Sequence, residues 1–224
     1  MILHRIDRDE AFRYMGLKGN TPPENISRIA DECEELLMKS VTPAYVWKMY
    51  DISHTDGGIA VSGTELLLKG RDISEHLKDC HKCILMCATL SAGADRVIKS
   101  CEVTGMEKAV IADCLASAAA EQICNTAESE IQQTLSDCGY YYTWRFSPGY
   151  GDLPIDIQPC FLKALDAQKR IGVTVTESYI LIPRKSVTAI IGISDKNIPK
   201  GKRGCTSCNM KDRCKFRKNG THCG

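Results

Sequence analysis

Between Tyr140 and Tyr150 the chain reads Tyr-Tyr-Tyr-Thr-Trp-Arg-Phe-Ser-Pro-Gly-Tyr, six aromatic residues and one arginine in eleven positions. Proline fixes φ and glycine lacks a Cβ, so the Ser147-Pro148-Gly149 turn lets a ligand come close to the backbone. Arg145 offers a planar fork of donors matched to a carboxylate or a phosphate. Tyr150 and its aromatic neighbours could stack on a heterocycle or face a cation. The competing reading is an aromatic edge strand with Arg145 in a surface ion pair, an arrangement that usually contributes little.

A second cluster sits near the C-terminus. Cys205-x2-Cys208-x5-Cys214-x8-Cys223 places four thiols in 19 residues among Gly, Lys and Arg, with almost no apolar side chains. Such a segment cannot fold by burial, so a metal is the expected organiser, and the basic neighbours would lower the thiol pKa values. Zinc would close a small knuckle, and an iron–sulfur cluster is the other option; the spacing matches neither the bacterial ferredoxin run nor a standard zinc ribbon. His222 is a reserve ligand, and a tail of oxidisable thiols without metal is the remaining alternative. Cys80-x2-Cys83-x3-Cys87 is a weaker metal candidate, because Cys83 and Cys87 fall in an apolar run where cysteine packs as a small hydrophobe. Cys33, Cys101, Cys114, Cys124, Cys138 and Cys160 have no ligand spacing and read as packing residues.

The elements that must position these groups read as follows. Asp7 with Glu10 resembles a capping box opening a first helix that Gly16 stops. Thr21-Pro22-Pro23-Glu24 opens a second helix with Thr21 as its cap, and Ile26, Ile29, Ala30, Cys33, Leu36 and Leu37 form its apolar stripe. Residues 44–62 suggest a β-hairpin folded at Asp56-Gly57-Gly58. A short helix over Ile73 to Lys78 leads to a buried strand, Cys83 to Ala88. A long alanine-rich helix spans roughly Met106 to Asp137 and ends at Gly139. Residues 140–146 are extended, a helix follows over 157–171, and Val173 to Ile182 and Ser186 to Ile193 form two strands around Pro183-Arg184-Lys185. Strands and helices do not alternate strictly, so the expectation is an α+β domain with a largely antiparallel, curved sheet flanked by helices.

Composition bounds the rest. The 224 residues, 43% hydrophobic and 25% charged, exclude whole-chain disorder, collagen and coiled coil, and no run is apolar enough to span a membrane. The start lacks the layout of a signal peptide, so a soluble, cytoplasmic protein is expected and a disulfide framework for its 13 Cys is not. The formal net charge of +1 conceals a split: residues 201–224 carry seven Lys/Arg against Asp212, a net of +6, leaving −5 on the remainder. The expected organisation is therefore a body over residues 1–198 and a basic Cys-rich module over 199–224.

Arg145-Phe146-Ser147-Pro148-Gly149-Tyr150, followed by Ile171-Gly172-Val173 and Thr176-Glu177-Ser178-Tyr179 before Pro183, resembles the activation (reactivation) domain of cobalamin-dependent methionine synthase. That family carries an Arg-x-x-x-Gly-Tyr signature, then a helix, then a Gly before a Thr-Glu-Ser strand. The match is specific over residues 139–194 and weaker over 1–138. The resemblance implies S-adenosyl-L-methionine as ligand, with Arg145 on its carboxylate, Ser147, Pro148, Gly149 and Tyr150 lining the pocket, and Glu121 on the long helix as an acidic partner. It implies a cobalamin carried by a partner methyltransferase and oxidised to cobalt(II), with flavodoxin or another one-electron donor supplying the reduction. The sequence departs from the family in having no Asp or Glu between Cys138 and Arg145, where family members place an acidic contact.

No folate, homocysteine or cobalamin module fits this length, and Asp51 and His54 have the wrong spacing for a cobalamin loop. The expectation is thus a stand-alone activation subunit, a component of a methyltransferase rather than a complete methionine synthase. In that setting an iron–sulfur cluster on Cys205, Cys208, Cys214 and Cys223 is favoured over zinc. Two other functions compete. One is an iron–sulfur redox protein passing electrons to a corrinoid protein. The other is a zinc knuckle gripping nucleic acid, for which the basic tail and Phe216 speak, but against which the acidic body weighs.

Overall fold

The apolar run Cys83–Ala88 forms the middle of the molecule. The computed structural model describes residues 3–17 and 21–198. In it, β4 (Lys82–Thr89) pairs antiparallel with β1 (Ala44–Thr55) on one side and β8 (Ser186–Ser194) on the other. Cys83 to Ala88 are all buried, which explains why this strand is continuously apolar rather than alternating. The six-stranded sheet has the order β3-β2-β1-β4-β8-β5, where β2 is Gly58–Val61, β3 is Leu67–Leu68 and β5 is Tyr141–Tyr142. Every pairing is antiparallel, and the hairpin turns at Asp56-Gly57 as the sequence suggests.

Helices cover both faces. On one lie α1 (Arg8–Tyr14), α2 (Glu24–Ser40), α4 (Ala92–Thr104) and α5 (Met106–Asp137), packed on Ile84, Met86 and Ala88 of β4 and on Ala189, Ile191 and Ile193 of β8. On the other lie α3 (Arg71–Leu77), α6 (Gln158–Leu165) and α7 (Ala167–Ile171), around Cys83, Leu85, Cys87 and Ile190. The α+β architecture thus stands as expected. The 32-residue α5 buries Ala112, Ala116, Ala119, Ala120 and Ala127, small residues that let neighbouring backbone come close. On its flank toward β1, Tyr45 Oη and Trp47 Nε1 both donate to the Glu130 carboxylate. These bonds hold that carboxyl below its ordinary pKa.

Several elements differ from the sequence expectation. Thr21 does not cap α2: Pro23 is the N-cap, and it has no side chain able to accept. Helix α4 is not expected at all. The predicted helix over 157–171 is a single 3₁₀ turn (Ile155–Ile157) followed by α6 and α7, because Asp166 adopts left-handed φ and ψ of 53° and 38°. Val173–Ile182 is not one strand. It folds into a separate hairpin of β6 (Thr174–Val175) and β7 (Leu181–Ile182), so Thr176-Glu177-Ser178 is the turn of that hairpin, closed by Thr176 N–H donating to Ile180 O at 2.9 Å.

Candidate functional site around Arg145

Arg145 lies on the outer edge of β8. Tyr142 pairs with Ile193 and Phe146 with Ile190, so four steps on the edge segment match three on β8. One residue is extra, and this bulge re-aims the side chains between the two pairings. Tyr142 packs on the α5 side, whereas Trp144 and Phe146 both pack on the α3/α6 side. Arg145 is left pointing at α5. His76 of α3 secures the bulge, with Nε2 2.9 Å from Trp144 O and 2.8 Å from Thr143 Oγ1. A carbonyl can only accept, so this contact needs the tautomer with hydrogen on Nε2.

The guanidinium meets one face of α5. Its Nε is 3.0 Å from Glu128 Oε2, and its Nη2 donates to Asn125 Oδ1 at 2.7 Å and to Glu121 Oε2 at 3.4 Å. Glu121, Asn125 and Glu128 are spaced four and three residues apart, which stacks them along one side of the helix. The Arg145 side chain is 12% exposed and Glu128 14%, whereas Glu121 is 44% exposed. Nη1 is enclosed and has no hydrogen-bond partner. A buried donor left unpaired costs about 1–3 kcal/mol. Beneath the guanidinium, burial pushes the Cys124 thiol up to about 12, against the opposing pull of the Arg145 charge.

After Phe146 the chain turns out to the surface. Tyr150 N–H donates to Ser147 O at 3.0 Å, Gly149 N–H donates to Leu153 O at 2.9 Å, and Leu153 N–H donates to Tyr150 O at 3.0 Å. Gly149 has φ of 89°, a conformation natural to glycine. Pro148 is buried and Ser147 half-buried, so the loop is anchored, while Tyr150 stands 59% exposed at its tip. Its ring centroid lies 6.4 Å from that of Phe146. Asp152 then ties the loop to the start of α3, accepting from the N–H groups of Arg71 at 2.7 Å and Asp72 at 3.0 Å. These bonds hold its carboxyl below the usual carboxylate range.

The structure brings Arg145 and Glu121 together and places Ser147, Pro148, Gly149 and Tyr150 on the adjoining turn. It adds Asn125, Glu128 and Asp152, which the sequence reading does not single out; the spacing of Asn125 and Glu128 from Glu121 was the signal available. Cys205, Cys208, Cys214, Cys223 and His222 lie outside the described residues. Among the described residues no cluster of three or more His, Cys, Asp or Glu is arranged to hold a metal ion. Cys80, Cys83 and Cys87 are buried in the α3/α6 side of the core. Among the described residues no helix is long and apolar enough to cross a membrane. A surface groove lined by Met15, Pro23, Ile26, Met106 and Val110 lies at the N-terminal end of α5, roughly four turns from Glu121.

Residues 102–197 match the family described as the vitamin B12 dependent methionine synthase activation domain. Among solved structures, the chain is similar to a crystal structure of the MetH reactivation domain bound to AdoHcy. The TM-score is 0.64 at 16% sequence identity, over 96% of this chain and 82% of that one. Comparison with the curated proteins gives no match. At this identity the likeness establishes the fold, and the family match takes in α5, the Arg145–Tyr150 loop and β8. Together they bear out the resemblance to an activation domain drawn from the loop.

Proposed function

We propose that this chain is an S-adenosyl-L-methionine-binding reactivation subunit, supporting reductive remethylation of an oxidised corrinoid held by a cobalamin-dependent methyltransferase such as methionine synthase. The observation that carries the reading is the grouping of one guanidinium, two carboxylates, an exposed ring and an open glycine turn at Arg145, Glu121, Glu128, Tyr150 and Gly149. Arg145 with two carboxylates has a formal charge of −1. A ligand with one carboxylate, one ammonium and one sulfonium has a charge of +1, so the donor set fits it in sign as well as in kind. Arg145 would take the carboxylate, Glu121 the ammonium, and Ser147, Pro148 and Gly149 would supply a close backbone wall beside the Tyr150 ring. Bound there, the ligand supplies the methyl group. The AdoHcy carried by the similar solved domain is its demethylated counterpart.

In this reading the corrinoid resides on a partner chain, and flavodoxin or another one-electron donor reduces it. Residues 1–198 form the ligand-binding body. Residues 199–224 form a separate basic module holding an iron–sulfur cluster, or zinc, through Cys205, Cys208, Cys214 and Cys223. Calorimetric titration with S-adenosyl-L-methionine tests the central claim. Saturable binding by the wild type that falls at least about tenfold in Arg145→Ala is expected. No binding by the wild type, with or without the corrinoid partner, overturns the function; equal binding by Arg145→Ala overturns the residue assignment. For the tail, anaerobic purification with metal analysis and a visible spectrum decides. Absorption bleached by dithionite marks a cluster, stoichiometric zinc marks a knuckle, and no metal removes the module.

A further inference from the structure

The three contacts on the Arg145 guanidinium are not equivalent. Its Nε faces Glu128 Oε2 at 3.0 Å, and Glu128 is almost as enclosed as the arginine itself, 14% against 12% exposed. Asn125 Oδ1 lies 2.7 Å from Nη2. The Glu121 carboxylate shares Nη2 at 3.4 Å and is 44% exposed. Nη1 has no partner at all.

A guanidinium can offer its donors along two forked edges, one built from Nε with one terminal nitrogen and one built from the two terminal nitrogens. Glu128 occupies the first edge from a protected position. The second edge comprises Nη2, which Asn125 and the more exposed Glu121 share at 2.7 and 3.4 Å, and the enclosed, unpaired Nη1. A carboxylate that displaces Glu121 can pair with Nη2 on this edge, provided that Glu128 and Asn125 keep the guanidinium plane fixed.

We infer that Glu128, assisted by Asn125, is the positioning residue that orients Arg145 for the ligand carboxylate, and that Glu121 is the exchangeable counter-ion displaced from that edge. This rests on the ligand class proposed above. On ligand entry the Arg145–Glu121 pair is replaced by Arg145 with the ligand carboxylate and Glu121 with the ligand ammonium. The ligand carboxylate and ammonium are both paired, and Glu128 never touches the ligand.

The consequence is a selective loss. Calorimetric titration of the full chain with S-adenosyl-L-methionine and with its decarboxylated analogue isolates the carboxylate contact, because the two share adenosine, sulfonium and amine. Glu128→Gln keeps the shape but removes the charge. It is expected to weaken S-adenosyl-L-methionine about tenfold while changing the analogue less than about twofold. Asn125→Ala, at a more exposed position, should show the same pattern with a smaller loss, and it serves if Glu128→Gln does not fold. In an Arg145→Ala background Glu128→Gln should change neither ligand. Equal weakening of both ligands by Glu128→Gln, or no change in either, overturns the inference while leaving the proposed function intact. Failure of the wild type to bind S-adenosyl-L-methionine removes both.

Discussion

Gly70 and Asp152 fit together only because Gly70 has no side chain: a Cβ there would stand 2.5 Å from Asp152 Oδ1. Gly70 also has φ of 137°, outside the range that other residues adopt comfortably. The pair joins two distant parts of the chain. Asp152 follows the Tyr150 loop and accepts from Arg71 and Asp72 at the opening of α3, which has no side-chain cap from its own N-cap residue. Helix α3 in turn carries His76, which holds the bulge that aims Arg145. The loop and the bulge are therefore fixed to the same short helix.

Gly70→Ala should break this joint. The added Cβ meets both a backbone strain and a close contact with the Asp152 carboxylate, and together these should cost about 2–4 kcal/mol. For a domain of this size, that is a fall of roughly 5–15 °C in the melting temperature. If Arg145 depends on the joint, ligand affinity should fall as well at temperatures where the variant remains folded. Calorimetric melting with binding measured at 10 °C checks both effects, and an unchanged melting temperature would refute the contact.

Acid should loosen the same joint. Asp152 has a folded pKa depressed by its backbone hydrogen bonds, first that from Asp72. A carboxyl of this kind binds protons more weakly when folded, so its stabilisation is present above the unfolded pKa of about 4 and disappears as pH falls through the folded value. Asp152→Ala removes the cap at neutral pH at a cost of about 1 kcal/mol. Its melting temperature should consequently fall less steeply than that of the wild type between pH 5 and pH 3. Parallel curves for the two proteins across that range would show that Asp152 does not contribute.

Much of this site was legible in the sequence, and the part that was not has a physical reason. The Arg145–Tyr150 loop stood out because aromatics, arginine, proline and glycine in a short run have few uses in a core. The strand at Cys83–Ala88 and the helix at Met106–Asp137 were legible from local patterning alone. The bulge was not, since it arises from a mismatch between Tyr142–Phe146 and Ile190–Ile193, residues more than forty positions apart. Asn125 and Glu128 look like solvated helix residues until Arg145 is laid against them. The Thr176-Glu177-Ser178 segment has strand-forming neighbours, yet Thr176 Oγ1 accepts from Ile180 N–H at 3.0 Å and makes a turn of it.

Helix α4 is the largest element the sequence did not announce, and Gly93 explains both its presence and its concealment. Glycine weakens a helix signal, but a Cβ at position 93 would lie 1.9 Å from Ser40 O at the end of α2. The first turn of α4 therefore packs directly on the α2 backbone, with Ser91 Oγ accepting from Gly93 N–H at 3.4 Å. Gly93→Ala gains helix propensity of about 1 kcal/mol and meets a main-chain clash that should cost more than about 3 kcal/mol. The expected outcome is net destabilisation, seen as a lower urea midpoint with an unchanged slope. A stabilised variant would mean that α4 does not lie against α2 in this way.

Arg145→Lys separates charge from geometry at the site itself. Lysine keeps the cation but presents its three donors from a single nitrogen on a flexible stem, so it cannot offer Glu128 one forked edge and an incoming carboxylate another. At rest it would pair with one of the two carboxylates and leave Asn125 without its donor. Stability should change by less than about 1.5 kcal/mol, because the cation is retained beside Glu128. Affinity for S-adenosyl-L-methionine should fall about tenfold or more, and the preference over the decarboxylated analogue should shrink with it. Titration of both ligands against Arg145→Lys reads this directly. If lysine preserved both the affinity and the preference, a point charge would be sufficient at this position, and the fork held by Glu128 would have no part in recognition.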